Sequence, residues 1–339
     1  MTDVQLTVEQ GVGRIRLDRP KALNSLTYGM ILEIHETLTA WAADDSVRSV
    51  VLSGAGERGL CAGADIRALH DSARAGGEQA RGFFRDEYRL NHLISRYPKP
   101  YLAVMDGITM GGGVGLSAHA NLRVVTERSA VAMPETRIGL TPDVGGSRLL
   151  SRAPGELGTH LALTAAAMTA GDALHCGFAD HFVPSEALPE LLAQADPVAA
   201  LPECTAEAPG SPLAAQAEWI DACYAADSVE EILDRLHGAG LPEAKEAAEL
   251  IVAHSPTALK VTLAALRLAR GHADLAETLA QEYRISAHAL THPDLPEGIR
   301  AQVIDKDRNP QWRPATLAEV TAADVAAFFA EPAGGDLRL

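Results

Sequence analysis

The sequence predicts an α/β protein in which strands and helices alternate and stack in layers. Two compact apolar runs, at residues 48–53 and 101–106, have the length and composition of buried strands. Helical spacing of apolar residues lies before and between these runs, and a glycine-rich stretch follows each of them. Such alternation is typical of stacked β and α layers with much parallel strand pairing. The 339 residues can bury a sizeable core in one or two domains.

The first elements of the chain are a predicted hairpin and a capped helix. Residues 4–9 and 12–17 alternate around a Gly-Val-Gly turn, which predicts two paired strands. Thr27 is suited to cap a helix whose apolar residues recur at helical spacing to about residue 44. Residues 78–96 predict a second long helix.

The later part of the chain changes in character. A strand is predicted at 122–126, but strand signals fade beyond about residue 155, where Ala- and Leu-rich helical patterns take over. Four prolines between 197 and 213 predict a loop there. We therefore predict a core domain at residues 1–195 and a mostly helical region at residues 196–339.

Composition and charge exclude several classes of function. With 29 Lys and Arg against 45 Asp and Glu, the formal charge is −16, which disfavours nucleic acid and anionic membranes as partners. No apolar run is long enough for a membrane span. The four cysteines form no CxxC pair, so neither a disulfide framework nor a zinc site is expected, and we predict no metal. The first residues match neither a secretory nor a transit pattern, and we predict a cytoplasmic protein.

Familiar catalytic patterns are incomplete here. No glycine precedes a lysine, so there is no phosphate-binding P-loop. Residues 115–119 give half of a nucleophile elbow and end in His119 instead of glycine, which counts against an α/β-hydrolase thioesterase. Residues 54–59 match the dinucleotide fingerprint, but the chain continues as a loop where that site needs a helix. A glycine-rich turn beside a strand end is the better interpretation.

Two segments of small residues carry the chemistry. Residues 59–66 and 107–115 each follow a predicted buried strand, and the second contains Gly111, Gly112 and Gly113 in succession. Successive glycines allow close backbone approach, and a helix beginning there would add partial positive charge. Two converging amides would form an oxyanion hole for acyl chemistry. Tight packing of a helix on the sheet is the alternative explanation of the three glycines.

The order and spacing of these motifs resemble the crotonase superfamily, which includes the enoyl-CoA hydratases and isomerases. Its 3-hydroxyisobutyryl-CoA hydrolase branch is the most similar. The resemblance covers residues 4–330 and is weakest at 190–250. It is carried by these segments: 19–26, 61–66, 108–117, 132–136, 138–140, 142–146, 255–260, 282–284, 297–301 and 304–307. The fold that it implies is a crotonase-like core of stacked sheets and helices, a ββα superhelix, followed by a helical C-terminal region.

The resemblance also implies roles for individual residues. The amides of Ala64 and Gly112 would bind the thioester oxygen. Glu135 would be the principal catalytic carboxylate and Asp143 the second, and Glu87 would contact the substrate. The CoA-binding positions would be Lys21, Ala22, Ala62, Ala64, Asp65 and Ile66. Lys21 and Arg67 are suited to phosphate, although both are also ordinary surface charges. The substrate would be an acyl-CoA, with no cofactor besides the CoA that the substrate itself carries.

Position 115 distinguishes the branches. Hydratases place a glutamate three residues after the middle glycine, where this chain has Gly115, and they commonly have glycine where this chain has Asp143. The resemblance therefore implies hydrolysis of a short β-hydroxyacyl-CoA, 3-hydroxyisobutyryl-CoA above all, in valine breakdown. Glu135 would act as the general base or as a nucleophile. The alternatives are a hydratase or isomerase, and a non-catalytic CoA-binding or assembly protein. Monomer, dimer and trimer all stay open, and a homo-oligomer is consistent with the family.

Overall fold

Within residues 3–339, eight of the nine strands lie in the first half of the chain, and the regular elements of the second half are almost all helices. The computed structural model describes residues 3–339. The strands are β1 (Val4–Glu9), β2 (Val12–Leu17), β3 (Ser49–Gly54), β4 (Gly59–Cys61), β5 (Tyr101–Met105), β6 (Ile108–Met110), β7 (Leu122–Val125), β8 (Ala130–Ala132) and β9 (His181–Phe182).

The α-helices are α1 (Tyr28–Ala43), α2 (Ile66–Arg74), α3 (Glu78–Ser95), α4 (Gly112–Ser117), α5 (Gly146–Ser151), α6 (Leu157–Thr164), α7 (Ala170–His175), α8 (Leu188–Ala193), α9 (Pro197–Cys204), α10 (Ala217–Tyr224), α11 (Val229–Gly238), α12 (Pro242–Val252), α13 (Pro256–Ala269), α14 (Leu275–Ala289), α15 (Asp294–Ile299) and α16 (Ala322–Ala327). Short 3-10 helices lie at Pro20–Ala22, Glu135–Ile138, Ser185–Ala187, Ala214–Gln216 and Leu317–Glu319, and a π-helix lies at Arg300–Ile304.

The chain forms two compact units. The sheet unit takes in the chain up to Ala64, together with Arg89–Ala132 and Met168–Pro212. The helical unit consists of Asp65–Tyr88, Met133–Ala167 and Leu213–Leu339. The division into domains at residues 1–195 and 196–339 stays a prediction.

A six-stranded sheet organises the sheet unit, in the order β1-β2-β3-β5-β7-β9. The β1–β2 hairpin is antiparallel, as predicted, and the other pairs are parallel. Alternate side chains of the parallel strands face one core, where Val51, Leu102 and Val124 are almost completely buried. The predicted α/β class with parallel pairing is confirmed, and α1 begins after Thr27, whose side chain accepts a hydrogen bond from the Met30 amide.

The resemblance implies stacked sheets, but the individual strands of the second sheet, in the order β4-β6-β8, were not predicted. Each of its strands has three residues, which is too short for a period of two to be recognised. The strand β4 occupies Gly59–Cys61, directly after the residues that match the dinucleotide fingerprint. No helix opens within 54–59, so the glycine-rich turn is the correct interpretation.

The helical unit contains most of the predicted helical C-terminal region, from Leu213 onward, whereas Met168–Pro212 belongs to the sheet unit. Helix α13 packs on α5 and α6, and Arg267 forms a salt bridge with Glu156 at 2.8 Å beside the start of α6.

One local prediction was wrong, because residues 197–204 are helical rather than a loop. Pro197 occupies the first turn of α9, where the missing N–H costs nothing, and Asp196 caps that helix through the Ala199 amide at 3.1 Å. Among residues 3–339, no helix is both long and apolar enough to cross a bilayer.

Candidate active site

Four carboxyl groups are buried close together in the helical unit. They belong to Glu87 on α3, Glu135 in its 3-10 helix, Asp143 in the turn before α5, and Glu282 on α14. Each side chain is at most 6% exposed. Their pKa values are raised by burial, and the charge of Asp143 adds to this effect at each of the three glutamates. The largest contributions to these pKa shifts come from burial, hydrogen bonds and neighbouring carboxyl groups.

Glu135 begins the 3-10 helix Glu135–Ile138, directly after Pro134. The chain reverses at Gly139, where φ is +74° and a Cβ would lie 2.6 Å from the Asp294 backbone. The Leu140 amide then returns to the Glu135 carbonyl at 3.1 Å. Glu135 Oε2 is buried and has no hydrogen-bond partner, and burial followed by the charge of Asp143 raises the pKa of this carboxyl well above its usual value. Such a carboxyl holds its proton to a higher pH than an exposed glutamate does.

Asp143 is the one member of the cluster held by a phenol. Tyr88 Oη donates to Asp143 Oδ2 at 2.7 Å, and the same Oη lies 2.7 Å from Ser286 Oγ. Because the single phenolic hydrogen goes to Asp143, Ser286 is the donor to Tyr88. Burial raises the pKa of Asp143 to about 6, while the bond from Tyr88 opposes that rise. Asp143 therefore titrates at a lower pH than a group that is buried without such a donor.

The turn that carries Asp143 has an unusual backbone. The Gly146 amide closes it on the Asp143 carbonyl at 2.6 Å, and both central residues, Val144 and Gly145, have positive φ. Glycine adopts this region freely, whereas a β-branched residue does so only under strain. A sparsely populated backbone conformation of this kind costs on the order of 1–3 kcal/mol and persists where its surroundings hold it. The direction of Asp143 thus depends on contacts made around the turn.

Glu282 supplies these contacts. Its Oε2 accepts from the Gly145 amide at 2.6 Å, and its Oε1 accepts from the Ser147 amide at 3.0 Å and from Ser147 Oγ at 2.5 Å. Burial raises the pKa of Glu282, whereas the hydrogen bonds donated by Ser147 and Gly145 lower it and stabilise the ionised carboxylate. The sequence pointed to segment 282–284 only as part of the resemblance, and gave Glu282, Tyr88 and Ser286 no role. A glutamate within a largely buried helix was the available signal.

Glu87 lies beside Tyr88 in α3, and its side chain is 2% exposed. Its Oε1 is buried without a hydrogen-bond partner. Burial, followed by the charge of Asp143, raises the pKa of Glu87 well above its usual value. The sequence-predicted residues Glu87, Glu135 and Asp143 therefore belong to one electrostatically coupled cluster.

The two predicted oxyanion segments meet in the sheet unit. Gly112 is the first residue of α4, and Gly63 has φ +98°. A Cβ on Gly63 would lie 3.7 Å from the Gly112 nitrogen, and a Cβ on Gly113 would lie 2.5 Å from the Cys61 carbonyl oxygen. The loop before Ala64 is thus packed against the start of α4. The loop hydrogen bonds of the described chain include none donated by the amides of Ala64 or Gly112.

The predicted CoA-binding residues occupy adjoining segments. Lys21 and Ala22 end an exposed 3-10 helix, and the Ala62 amide donates to the Leu23 carbonyl at 3.0 Å, which brings this segment beside the Ala62–Ala64 loop. Asp65 precedes α2 and Ile66 begins it. Arg67 Nη2 donates to the Val303 carbonyl at 2.8 Å, so this exposed guanidinium already has one partner.

Comparison with known proteins supports the resemblance. The sequence profile described as enoyl-CoA hydratase/isomerase matches residues 12–329. The chain is 42% identical to the mitochondrial 3-hydroxyisobutyryl-CoA hydrolase of Gallus gallus, over 99% of this chain and 91% of that protein. It is 41% identical to the human protein of the same name, over 99% and 90%. The predicted resemblance to the hydrolase branch is confirmed.

Two solved structures whose names differ from those of the curated relatives are also similar to this chain. The structure of a carnitinyl-CoA dehydratase from Mycobacterium thermoresistibile matches with a TM-score of 0.97 and 55% identity, covering 100% of this chain and 99% of that one. An enoyl-CoA hydratase structure from Rhodobacter sphaeroides matches with a TM-score of 0.93 and 42% identity, covering all of both chains. The predicted crotonase-like fold is confirmed by these neighbours.

The predicted cytoplasmic location was wrong. The curated relatives are named as mitochondrial proteins, which contradicts it. The prediction rested on the pattern of the first residues and on overall composition. The packing of a protein core does not determine where in the cell the protein is located. Fold, profile match and relatives together show that this chain belongs to the enoyl-CoA hydratase/isomerase family.

Proposed function

We propose that this protein hydrolyses a short β-hydroxyacyl-CoA thioester, converting 3-hydroxyisobutyryl-CoA to 3-hydroxyisobutyrate and CoA in valine breakdown. The names of the curated relatives agree with this activity over nearly the full length of the chain. An acyl-CoA thioester hydrolase needs an activated oxygen nucleophile and a site for the developing oxyanion.

The observation that carries the proposal is the pair of buried carboxyls, Glu135 and Asp143, in a chain that has glycine at position 115. Gly115 is buried within α4, at the position where hydratases of this family carry a glutamate. Addition of water across a double bond would lose one of its two carboxylates without that glutamate. The acidic groups are concentrated instead around Asp143, which favours attack on the carbonyl carbon.

In the proposed mechanism, the amides of Ala64 and Gly112 bind the thioester oxygen. Glu135 takes a proton from water as the water oxygen bonds to the carbonyl carbon. The carbon–sulfur bond then breaks, the CoA sulfur leaves with the electron pair, and a proton from Glu135 or Asp143 neutralises the thiolate. Raised pKa values suit carboxyls that must alternate between base and acid.

Direct attack by Glu135 through a mixed anhydride is the second route. The two routes differ in where the oxygen of water ends up when water opens the anhydride at its Glu135 carbonyl. In H₂¹⁸O, a single turnover by the general-base route puts ¹⁸O only into the product acid. Label found in the Glu135 carboxyl after one turnover identifies the anhydride, and mass spectrometry of the peptide that contains Glu135 measures it.

In this proposal the CoA moiety is bound by residues other than the two reacting carboxyls. Contacts to its adenine, pantetheine and phosphates fall to the predicted CoA-binding residues, Lys21, Ala22, Ala62, Ala64, Asp65 and Ile66, and Glu87 contacts the acyl portion. The reaction uses no cofactor besides the CoA of the substrate. A homo-oligomer is consistent with the family and is the proposed assembly.

A panel of acyl-CoA thioesters tests the activity. We expect free thiol to appear from 3-hydroxyisobutyryl-CoA faster than from unbranched or non-hydroxylated thioesters of similar length. Absence of thiol release from every member of the panel would overturn the proposal.

Hydration or dehydration of the acyl chain is the second candidate, favoured by the names of the two solved structures. The same panel separates it. A hydratase changes the absorbance of the enoyl thioester and leaves the thioester bond intact, whereas a hydrolase releases thiol. A non-catalytic CoA-binding protein does neither and still binds the thioester.

A further inference from the structure

Glu282 is a buried carboxyl that the proposed mechanism does not use. It lies on α14, more than a hundred residues beyond the turn that it contacts, and its side chain is completely buried. Its three partners are the Gly145 amide, the Ser147 amide and the Ser147 hydroxyl. All three are donors that lie just after Asp143 in the chain, so the carboxyl joins α14 to the turn.

The turn needs an external contact of this kind. Val144 has φ +52° and a fully buried side chain, and Gly145 has φ +81°. A β-branched residue held in the left-handed region favours relaxation to an extended conformation. Such relaxation would rotate the preceding residue, which is Asp143. The hydrogen bonds that Glu282 accepts from Gly145 and Ser147 hold the strained segment on its C-terminal side.

We propose that Glu282 is a positioning residue for Asp143, because its carboxyl binds the Gly145 and Ser147 donors and thereby holds the strained turn that directs the Asp143 side chain. This inference rests on the proposed hydrolysis, in which Asp143 is one of two catalytic carboxylates. Glu282 is not a catalytic residue, since it acts only through the turn.

The geometry requires a carboxyl rather than an amide at position 282. Two oxygens accept from donors on separate residues. A glutamine offers one oxygen and one NH₂ group, so one donor would face another donor. An unpaired buried N–H is costly, and the turn would move to reduce that cost. We call the hydrogen bonds that Glu282 accepts from Gly145 and Ser147 the Glu282 clamp. Glu282→Gln therefore weakens this clamp with little change in side-chain volume.

Steady-state kinetics on the full-length protein test the proposal, with Glu282→Gln as the primary variant. We expect its kcat to fall by on the order of 10²-fold, the effect of a misplacement of about 1 Å at a reacting group. KM for the CoA thioester should change little, because CoA is bound elsewhere. Gln281→Leu is the matched control, since Gln281 is also buried in α14 but donates to the Ala265 carbonyl at 3.2 Å, away from the turn. It should keep the wild-type kcat.

A double-mutant cycle with Val144→Gly separates a positioning role of Glu282 from a general loss of structure. Glycine adopts positive φ without strain, so a turn that has glycine at position 144 depends less on the clamp. The factor by which Glu282→Gln lowers kcat should therefore be smaller in the Val144→Gly background than in the wild-type background. An equal factor in both backgrounds, or a kcat loss no larger than that of Gln281→Leu, would overturn the proposal.

Hydrogen exchange keeps the test independent of the activity. The amides of Gly145 and Ser147 should exchange faster in Glu282→Gln than in the wild type, and unchanged protection contradicts the clamp. If Glu282→Gln does not fold, Ser147→Ala removes only the hydroxyl bond and should still speed exchange at Gly145. Failure of the wild type to release thiol refutes the proposed hydrolysis, whereas normal exchange in the variants refutes the positioning role.

Discussion

Tyr88 Oη donates a hydrogen bond of 2.7 Å to Asp143 Oδ2, and this bond is the only one from a neutral side chain to that carboxyl in the described chain. A donor to a carboxylate stabilises the ionised form and lowers the pKa. Tyr88 thus opposes the burial that raises the pKa of Asp143 to about 6. The other ionisable groups around Asp143 are Glu87, Glu135 and Glu282, all of which are acidic.

Tyr88→Phe should shift the pH dependence of the reaction. Without the donor, the pKa of Asp143 rises further, so the limb of the kcat/KM profile that belongs to the carboxyl cluster moves to higher pH. The apparent value describes the coupled cluster rather than one residue. Tyr97→Phe is the control, because Tyr97 Oη donates instead to the Leu38 carbonyl at 3.0 Å in the sheet unit. Profiles of Tyr88→Phe and wild type that superimpose would contradict this prediction.

Glu135→Gln should lower turnover by roughly 10²–10⁴-fold, the usual effect of losing a general base. Binding of the CoA thioester should survive, since the CoA moiety is held by other residues. Asp143→Asn should likewise impair turnover and spare binding. Calorimetric titration with CoA and thiol-release kinetics measure the two effects separately. Thioester hydrolysis that persists in the double variant would show that other groups perform the chemistry.

The buried cluster should also make stability depend on pH. A glutamate whose pKa is raised in the folded state binds its proton more tightly there than in the unfolded chain. Its contribution to the stability of the folded protein is complete at pH values below the pKa of the unfolded chain, near 4.5. This contribution is lost as the pH rises towards the pKa of the folded state. Glu87→Gln carries no such charge, so its free energy of unfolding should exceed that of the wild type at pH 8, by about 1.4 kcal/mol for each unit of pKa shift.

That difference should vanish below about pH 3.5, where Glu87 is almost fully protonated in both states. Glu78→Gln is the matched control, because Glu78 begins the same helix with its side chain 86% exposed. Urea unfolding of the three proteins across this range provides the measurement. A constant difference between Glu87→Gln and the wild type at every pH would rule out a titrating cause.

Gly63→Ala and Gly76→Ala form a matched pair for the oxyanion segments. The two glycines have nearly the same positive φ, +98° and +99°, so alanine strains both backbones similarly. At Gly63 the new Cβ would contact the Met110 carbonyl at 3.3 Å and the Gly112 nitrogen at 3.7 Å, whereas at Gly76 it meets nothing within 4 Å. Gly63→Ala should lower kcat by up to 10²–10³-fold, the effect of losing an oxyanion donor.

Gly76→Ala should keep the wild-type kcat and share only the loss of thermal stability. Equal effects of the two substitutions on kcat would indicate that the Gly63 loop plays no part in the chemistry. Thermal unfolding of both variants shows whether their strain is comparable.

The sequence predicted the long elements well and the short ones poorly. The strands β3 and β5 and the helix α3 lie within one or two residues of their predicted bounds, because several side chains establish each period. The strands β4, β6 and β8 have three residues each, which is too few to show the alternation of apolar and polar residues that identifies a strand. They form the sheet that precedes the predicted oxyanion amides, so the local architecture of that segment was not apparent.

The residues around the carboxyl cluster show a similar limit. Glu135 and Asp143 lie eight residues apart in recognisable motifs, and resemblance was enough to select them. Glu282 and Ser286 reach the same place only through the packing of α14, and spacing along the chain carries no information on that. Tyr88 was adjacent to a selected residue, yet its role depends on a contact with Asp143, 55 positions away.

Within residues 3–339, no ion pair joins the four buried acids to a cationic side chain, and this bears on what happens after the thioester bond is broken. The acyl end of a thioester is uncharged, but the proposed hydrolysis turns it into a carboxylate beside Asp143, which is ionised above its pKa of about 6. Like charges at short range in a poorly solvated site repel strongly. We therefore expect the free acid to be a weak competitive inhibitor, because the electrostatics that raise the carboxyl pKa values also weaken binding of an anionic product.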